Sequence, residues 1–84
     1  MQVSVDISLY PLREEFIPVV IDFIHRVQLH EGVEVTRSTL STQLYGESTR
    51  VLTVLAQELE HSVATWGRSV LVAKIIVGDV RQGS

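Results

Sequence analysis

Short hydroxyl side chains crowd one segment of the chain, where five of the seven positions from 36 to 42 are Ser or Thr. A hydroxyl donates or accepts as it rotates, and the neighbouring Gln43 amide offers a donor and an acceptor together. On a rigid strand such groups suit the polar edge of a flat ring, on which an aromatic such as Tyr10 or Tyr45 can stack. One interpretation of these residues is therefore non-covalent binding of a small molecule. Thr is also a good strand former, so the residue pattern alone favours an ordinary solvated hairpin.

Metal binding and catalysis find little support in the other polar residues. The three histidines, His25, His30 and His61, do not pair at the i, i+4 spacing of a helical metal site, and the chain has no cysteine. Glu58 and His61 form a single Glu-x-x-His motif, whereas a di-iron bundle needs two such motifs and further carboxylates. Neither a glycine-rich phosphate loop nor a nucleophile elbow occurs in the sequence. We therefore expect no metal ion, no catalytic residues and no enzymatic activity.

Composition limits the partners of this 84-residue chain. Its 45% hydrophobic and 20% charged residues are typical of a globular domain rather than of a disordered segment. The net charge of −3, without a Lys/Arg cluster, disfavours nucleic acid and anionic membrane surfaces as partners. The sequence has no signal-peptide pattern, and no apolar run approaches the roughly 20 residues that span a bilayer. We expect a cytoplasmic protein that neither binds nucleic acid nor inserts into membranes.

The elements that must position the hydroxyl residues begin with a strand. Apolar and polar residues alternate over 2–9, and Pro11 ends this run because it has no amide hydrogen to donate. Apolar residues then recur every three or four positions over 13–30, which predicts a helix. Proline is tolerated only in the first turn of a helix, so Pro18 places the regular part of this helix from about Glu15 onward.

A hairpin and a second helix follow. Gly32 is the expected stop of the first helix, and two short alternating segments, 33–37 and 41–46, predict an antiparallel hairpin. Ser48 is a plausible N-cap of the second helix, which Gly67 closes. The apolar stripe predicted for this helix is Val51, Leu52, Leu55, Leu59 and Val63.

The last strand, 69–77, completes the order β-α-β-β-α-β. This order in about eighty residues is typical of an α+β, ferredoxin-like sandwich, in which a four-stranded antiparallel sheet carries two helices on one face. We therefore expect a single ferredoxin-like domain over 1–78 and a frayed C-terminal tail over 79–84.

The last strand also predicts a partner. A strand buried on one face alternates, but here both parities are apolar, with Leu71, Ala73, Ile75 and Val77 on one side and Val70, Val72 and Ile76 on the other. A second copy of the chain would cover the additional apolar set, which would otherwise form an exposed patch. We expect a homo-oligomer, either a dimer or a tetramer, that assembles through the sheet.

Three stretches of the sequence resemble one known family. The words "ISLYPL" in the first strand, "FIPVVIDFIHRV" in the first helix and "STLSTQLYGE" in the hairpin are similar to the small YkoF-like family of thiamine- and hydroxymethylpyrimidine-binding proteins. The resemblance extends from Val3 to Val77. It implies a ferredoxin-like fold that binds thiamine or its hydroxymethylpyrimidine moiety as a ligand, without catalysis and without a further cofactor. Family members occur as tandem repeats or as single domains that assemble, and this chain carries one copy.

The resemblance also implies a set of ligand-binding residues. Carried over to the matching positions, these are Ser8 and Tyr10 of the first strand and Ser41, Thr42 and Gln43 of the hairpin. Successive side chains of a strand point to opposite faces, so Ser41 with Gln43 and Thr42 with Leu44 cannot all line one pocket. We expect part of this set to support the ligand-binding residues rather than to touch the ligand.

Two other classes of function fit the same order of elements. The first is an oligomeric structural or regulatory module whose sheet serves assembly and binds no small molecule. The second is an enzyme that acts on a thiamine precursor, although no acid-base pair suited to proton transfer is evident. An RNA-recognition module is disfavoured, because it needs stacking aromatics on strands one and three within a basic surface. Here the third strand offers one aromatic, Tyr45, and the chain is acidic.

Overall fold

Six main elements follow one another in the predicted order β-α-β-β-α-β. A computed structural model describes residues 1–82. The elements are β1 (Gln2–Pro11), α1 (Ile17–Gln28), β2 (Val33–Arg37), β3 (Thr42–Glu47), α2 (Ser48–Trp66), β4 (Ser69–Val77) and a closing 3-10 turn (Val80–Gln82). The predicted ferredoxin-like fold is confirmed, since the four strands form one antiparallel sheet and both helices pack on one face of it.

Strand β1 lies inside the sheet, whose strand order is β2-β3-β1-β4. The register places Val5 of β1 between Leu44 of β3 and Ile75 of β4. Because side chains alternate along a strand, Val5 points toward the helices, on what we call the helix face of the sheet. Asp6 points to the opposite side, which we call the open face. The alternation of the first strand therefore decides which residues enter the core.

The core forms where the apolar sides of α1 and α2 meet the helix face. Its buried side chains are Val3, Val5, Ile7, Phe23, Ile24, Val27, Val33, Leu44, Val51, Val54 and Leu55. Helices and strands this short are marginally stable by themselves, so burial of these side chains is the main stabilising contribution.

No helix within residues 1–82 is long and apolar enough to cross a membrane.

Helix α1 is shorter than the sequence pattern predicts. It begins at Ile17 rather than near Glu15, with Pro18 in its first turn as expected. The ring of Pro18 would clash with the carbonyl four positions earlier in a longer helix, which explains the late start. The helix ends at Gln28, so Gly32 is not its stop. Gly32 adopts a φ of 84° in the turn that leads into β2.

Helix α2 begins one residue earlier than predicted, and the residues that it buries differ from the predicted stripe. Glu47 occupies the N-cap position and Ser48 is the first helical residue, while Gly67 closes the helix as predicted. Leu52 and Val63 are 46% and 40% exposed, so their assignment to the buried stripe was wrong. The residues buried along α2 are Val51, Val54, Leu55, Glu58 and Ser62. This set follows the helical period as well as the predicted one does, but it includes two polar positions that a hydrophobic pattern cannot identify.

Glu58 is the acid that connects the two helices. Its side chain is almost fully buried, and it accepts hydrogen bonds from Arg26 Nε at 2.6 Å and His30 Nε2 at 2.7 Å on α1. Burial alone would raise the pKa of Glu58, but the hydrogen bonds from His30 and Arg26 outweigh it and hold the pKa below its ordinary value. Glu58 therefore stays ionised at neutral pH and stabilises the packing of α1 on α2.

We expect Glu58→Gln to lower the free energy of unfolding by about 2 kcal/mol at pH 7, because it removes the charge that satisfies two basic partners. The pKa of Glu58 is lowered on folding, so its contribution is present at neutral pH and is lost as the pH falls through that lowered pKa. Urea unfolding of the natural protein and of the Glu58→Gln variant should thus show a difference in the free energy of unfolding that decreases as the pH is lowered from 7. Glu60→Gln, at an exposed position of the same helix, is the matched control. A difference in the free energy of unfolding that did not change with pH would contradict this role of Glu58.

Strand β4 forms an outer edge of the sheet, and most of its apolar side chains are exposed. Val70, Val72, Ile75, Ile76 and Val77 are between 45% and 68% exposed. These residues belong to both parities, so both faces of β4 are accessible, and β4 has no strand neighbour beyond β1 within residues 1–82. The apolar residues at both parities are therefore not covered by the chain itself.

Residues 79–82 of the predicted tail lie against the open face, and 83–84 lie outside the described residues. Arg81 donates to Glu34 of β2 at 2.6 Å, and its guanidinium lies 3.9 Å from the centroid of the Tyr45 ring. The Ser4 hydroxyl donates to the Gly78 carbonyl at 2.8 Å. These contacts place the segment that follows β4 beside β2 and β3.

Candidate functional site

A cavity of about 220 Å³ opens at one end of the sheet, between β1, α1 and the loop that joins β2 to β3. Its wall is formed by residues 7–10 of β1, by Val20, Phe23 and Ile24 of α1, and by residues 37–42 of the hairpin. Aliphatic and aromatic groups form the helix side of the wall, and hydroxyl groups form much of the hairpin side. Such a mixture is typical of sites for small organic ligands.

The cavity exists because the two neighbours of β1 have different lengths. Pairing of β1 with β3 ends at Ile7 opposite Thr42, whereas pairing with β4 continues to Pro11 opposite Ser69. Beyond Ile7, strand β1 therefore has a neighbour on one side alone. The space where β3 would continue is bordered by the loop over 38–41.

The loop over 38–41 turns back on itself through its own hydrogen bonds. The Ser38 amide donates to the Ser41 carbonyl at 2.9 Å, and the Ser38 hydroxyl donates to the same carbonyl at 3.1 Å. Local bonds of this kind from Ser residues favour a turn over continued strand pairing. Part of the hydroxyl cluster thus serves to end the β2–β3 ladder and to shape the rim of the cavity.

Four of the five residues implied by the family resemblance line the cavity: Ser8, Tyr10, Ser41 and Thr42. Thr42 lies opposite Ile7 on the helix face and is 5% exposed. None of the side-chain hydrogen bonds within residues 1–82 involves its hydroxyl. Thr42 is therefore a nearly buried residue whose hydroxyl is available to a ligand.

Gln43 does not line the cavity, because its side chain lies on the open face. Its amide donates to Asp6 Oδ1 at 2.8 Å, and the Ser41 hydroxyl donates to the same oxygen at 2.7 Å. Hydrogen bonds from Ser41 and then Gln43 lower the pKa of Asp6 against the effect of burial, with a smaller contribution from the charge of Lys74. The side chains of Gln43 and Thr42 therefore lie on opposite faces of the sheet, whereas Ser41 borders the same cavity as Thr42. Ser41 thus borders the cavity while its hydroxyl is directed to Asp6.

The two candidate stacking aromatics lie in different places. Tyr10 is 56% exposed and stands at the edge of the cavity. Tyr45 lies on the open face, opposite Ser4, where the Arg81 guanidinium covers its ring. Tyr10 is therefore the aromatic that is positioned to contact a ring in the cavity.

Sequence reasoning missed two parts of the wall. Val20, Phe23 and Ile24 belong to the apolar pattern that predicts α1, and they also line the cavity. Arg37, the last residue of β2, lines it as well. A signal for Arg37 was available, because it directly precedes the loop residues that carry the hydroxyls. The dual role of the helix residues leaves no distinct mark in a hydrophobic pattern.

Clusters of three or more His, Cys, Asp or Glu side chains that could hold a metal ion are not found within residues 1–82.

Several solved structures share this fold along nearly the whole chain. Protein SP2199 from Streptococcus pneumoniae is 25% identical, with 99% of this chain and 93% of that chain covered and a TM-score of 0.85. A candidate thiamine biosynthesis/salvage protein from Thermotoga maritima is 17% identical, with 98% and 94% covered and a TM-score of 0.86. A domain of unknown function from Bacillus cereus is 22% identical, with 99% and 86% covered and a TM-score of 0.83.

The family of the chain follows from its sequence as well as its fold. No curated protein is significantly similar to the chain in sequence. Residues 2–78, however, match the sequence model of the YKOF-related Family. This match covers the three strands that line the cavity and all of the hydroxyl cluster. The chain therefore belongs to the YKOF-related Family.

Proposed function

We propose that the protein binds thiamine or its hydroxymethylpyrimidine moiety in the cavity at the end of β1, without catalysis and without a further cofactor. The observation that carries the proposal is Thr42, a nearly buried residue of the cavity wall whose hydroxyl makes no side-chain hydrogen bond within residues 1–82. Membership of the YKOF-related Family supports a thiamine-related ligand, as does the likeness of fold to the candidate thiamine biosynthesis/salvage protein of Thermotoga maritima. Such a binder would act in transport, salvage or sensing of vitamin B1.

The size of the cavity favours a ligand with one ring. Its volume of about 220 Å³ lies below the roughly 300–1,000 Å³ of pockets that enclose drug-sized ligands. A substituted pyrimidine fits such a space with Phe23 on its apolar side and Tyr10 at its open edge. The thiazolium ring of thiamine would have to extend out of the cavity, past the loop over 38–41.

The charge of the cavity wall also favours the one-ring ligand. Among the described residues that line the cavity, Arg37 is the one side chain that is charged at neutral pH. Thiazolium carries a positive charge and would approach this guanidinium, whereas hydroxymethylpyrimidine is neutral. Like charges repel, so the cavity favours hydroxymethylpyrimidine over thiamine.

Calorimetric titration with hydroxymethylpyrimidine tests the binding site. We expect saturable binding, and we expect Thr42→Val to weaken it roughly tenfold, since one hydrogen bond to the ligand is lost without a change of shape. Thr36→Val is the matched control, because Thr36 belongs to the same hydroxyl cluster but is exposed and does not line the cavity. Equal weakening by both substitutions, or flat titrations with thiamine and hydroxymethylpyrimidine, would contradict the proposed site.

Replacement of Arg37 tests the preference between the two ligands. We expect Arg37→Gln to strengthen thiamine binding severalfold, on the order of 1 kcal/mol at most for an exposed charge, while hydroxymethylpyrimidine binding changes little. Added salt should reduce the difference between the two proteins, since it screens the repulsion. Equal changes for both ligands would show that Arg37 acts through the shape of the cavity and not through its charge.

We also propose that the protein assembles with further copies of itself through the sheet, as a dimer or a tetramer. The support is the outer edge at β4, where a row of unpaired main-chain groups is flanked by exposed Val72 and Ile76. An exposed, apolar edge strand is a template for pairing with another chain, and soluble proteins rarely leave one uncovered. This surface also favours the alternative function, an interaction module that binds no small molecule.

A change of charge at β4 tests this association. Val72→Lys combined with Ile76→Lys places two charges on the apolar edge, which should shift the protein to a smaller species in sedimentation velocity. Leu52→Lys, at an exposed apolar position of α2, is the control and should leave the size unchanged. An unaltered oligomer in the double variant would contradict assembly through β4. An intact oligomer of the natural chain that binds neither ligand would favour the interaction module.

A further inference from the structure

Hydrogen bonds of β1 alternate between its two neighbours. The Gly78 amide donates to the Gln2 carbonyl at 2.7 Å on the β4 side, and the Ser48 amide donates to the Met1 carbonyl at 2.8 Å on the β3 side. In an antiparallel sheet the amide and carbonyl of one residue point to the same neighbour, and the next residue points to the other. Even-numbered residues of β1 are thus bonded toward β4, and odd-numbered residues toward β3.

Leu9 is the first odd-numbered residue of β1 that has no partner residue in β3. Pairing with β3 ends at Ile7 opposite Thr42, so the next residue to pair with Leu9 would be Leu40. Leu40 is in the loop and is 89% exposed. No main-chain hydrogen bond within residues 1–82 joins Leu9 to that loop. The Leu9 amide and carbonyl therefore point side by side toward the cavity, which Leu9 lines.

Pro11, the next odd-numbered residue, has no amide hydrogen at all. A proline is acceptable in this interior strand because β3 has already ended and no donor is required there. As a result, Leu9 is the one residue of β1 that presents both an unpaired donor and an unpaired acceptor to the cavity. An unpaired main-chain group in a cavity is costly unless water or a ligand satisfies it.

We propose that the main chain of Leu9 binds the ligand as the next strand would. Its amide donates to a ring nitrogen, and its carbonyl accepts from the exocyclic amine beside that nitrogen. This inference rests on the proposed function and adds to it the chemical class that the site selects, a planar heterocycle with an amine next to a ring nitrogen. The Thr42 hydroxyl on the facing strand end and the Tyr10 ring complete the contacts around this ring.

A main-chain pair selects more strictly than hydroxyl side chains do. Ser and Thr hydroxyls exchange donor and acceptor roles by rotating, whereas the amide and carbonyl of a strand are fixed. The 4-oxo analogue of hydroxymethylpyrimidine carries an N–H where the natural ring has an acceptor and an oxygen where it has a donor. It could satisfy Leu9 only by turning over, which would move its methyl and hydroxymethyl groups to the wrong walls.

Two measurements on the full chain test the inference. Calorimetric titrations compare 4-amino-5-hydroxymethyl-2-methylpyrimidine with its 4-oxo analogue, and we expect the analogue to bind at least roughly 100-fold more weakly. Nuclear magnetic resonance of the 15N-labelled protein follows the Leu9 amide, whose proton should shift strongly downfield when the amino compound binds. Leu9→Pro removes the amide donor at a position that makes no hydrogen bond to a neighbouring strand, and it should abolish the preference for the amino compound. Leu9→Val retains the amide donor and should retain that preference.

The possible results separate the inference from the function on which it rests. Strong discrimination together with a shifted Leu9 amide would support both. Equal binding of the amino and oxo compounds, or a Leu9 amide that does not move on binding, would overturn the main-chain inference and leave the proposed site in place. Absence of binding by any thiamine-related compound would overturn the proposed function, and the inference with it.

Discussion

The arrangement of the molecule depends on the unequal pairing of strand β1. Up to Ile7 this strand is bonded on both sides, and its alternating valines bring both helices onto one face of the sheet. From Ser8 to Pro11 it is bonded to β4 alone. One continuous strand thus supplies the centre of the core and, a few residues later, one wall of a cavity with unsatisfied main-chain groups. Fold and candidate site are consecutive parts of the same element.

The polar residues of the hydroxyl cluster have different roles in the structure. Ser38 and Ser41 end the β2–β3 ladder, and Gln43 with Ser41 holds the Asp6 carboxylate on the open face. Thr42 lies on the helix face, where it is nearly buried, and its hydroxyl makes no side-chain hydrogen bond in the described part of the chain. Thr36, Ser38 and Ser41 of the cluster are thus bonded within the protein, and Thr39 and Thr42 of the cavity wall are the hydroxyl residues left for a ligand within residues 1–82.

Gly46 illustrates a constraint of packing within the motif that carries the family resemblance. A side-chain carbon at this position would lie 2.5 Å from the Gly32 carbonyl oxygen and 3.1 Å from Val51. Such a distance is far shorter than any ordinary contact, so the approach of β3 to the turn before β2 requires glycine here. The aromatic-Gly-Glu part of the motif thus reflects the fold, whereas the hydroxyl part before it shapes the cavity.

The sequence by itself determined the order of elements, the fold and the bounds of β2 and β4, because periods of two and of about 3.6 residues are local properties. It also indicated the hydroxyl segment and its family. The tertiary structure decided that Glu58 is buried, that Gln43 turns away from the cavity and that Arg37 lines it. It further decided that β3 stops opposite Ile7. Each of these depends on which residues from distant segments lie side by side, and no periodicity within one segment contains that information.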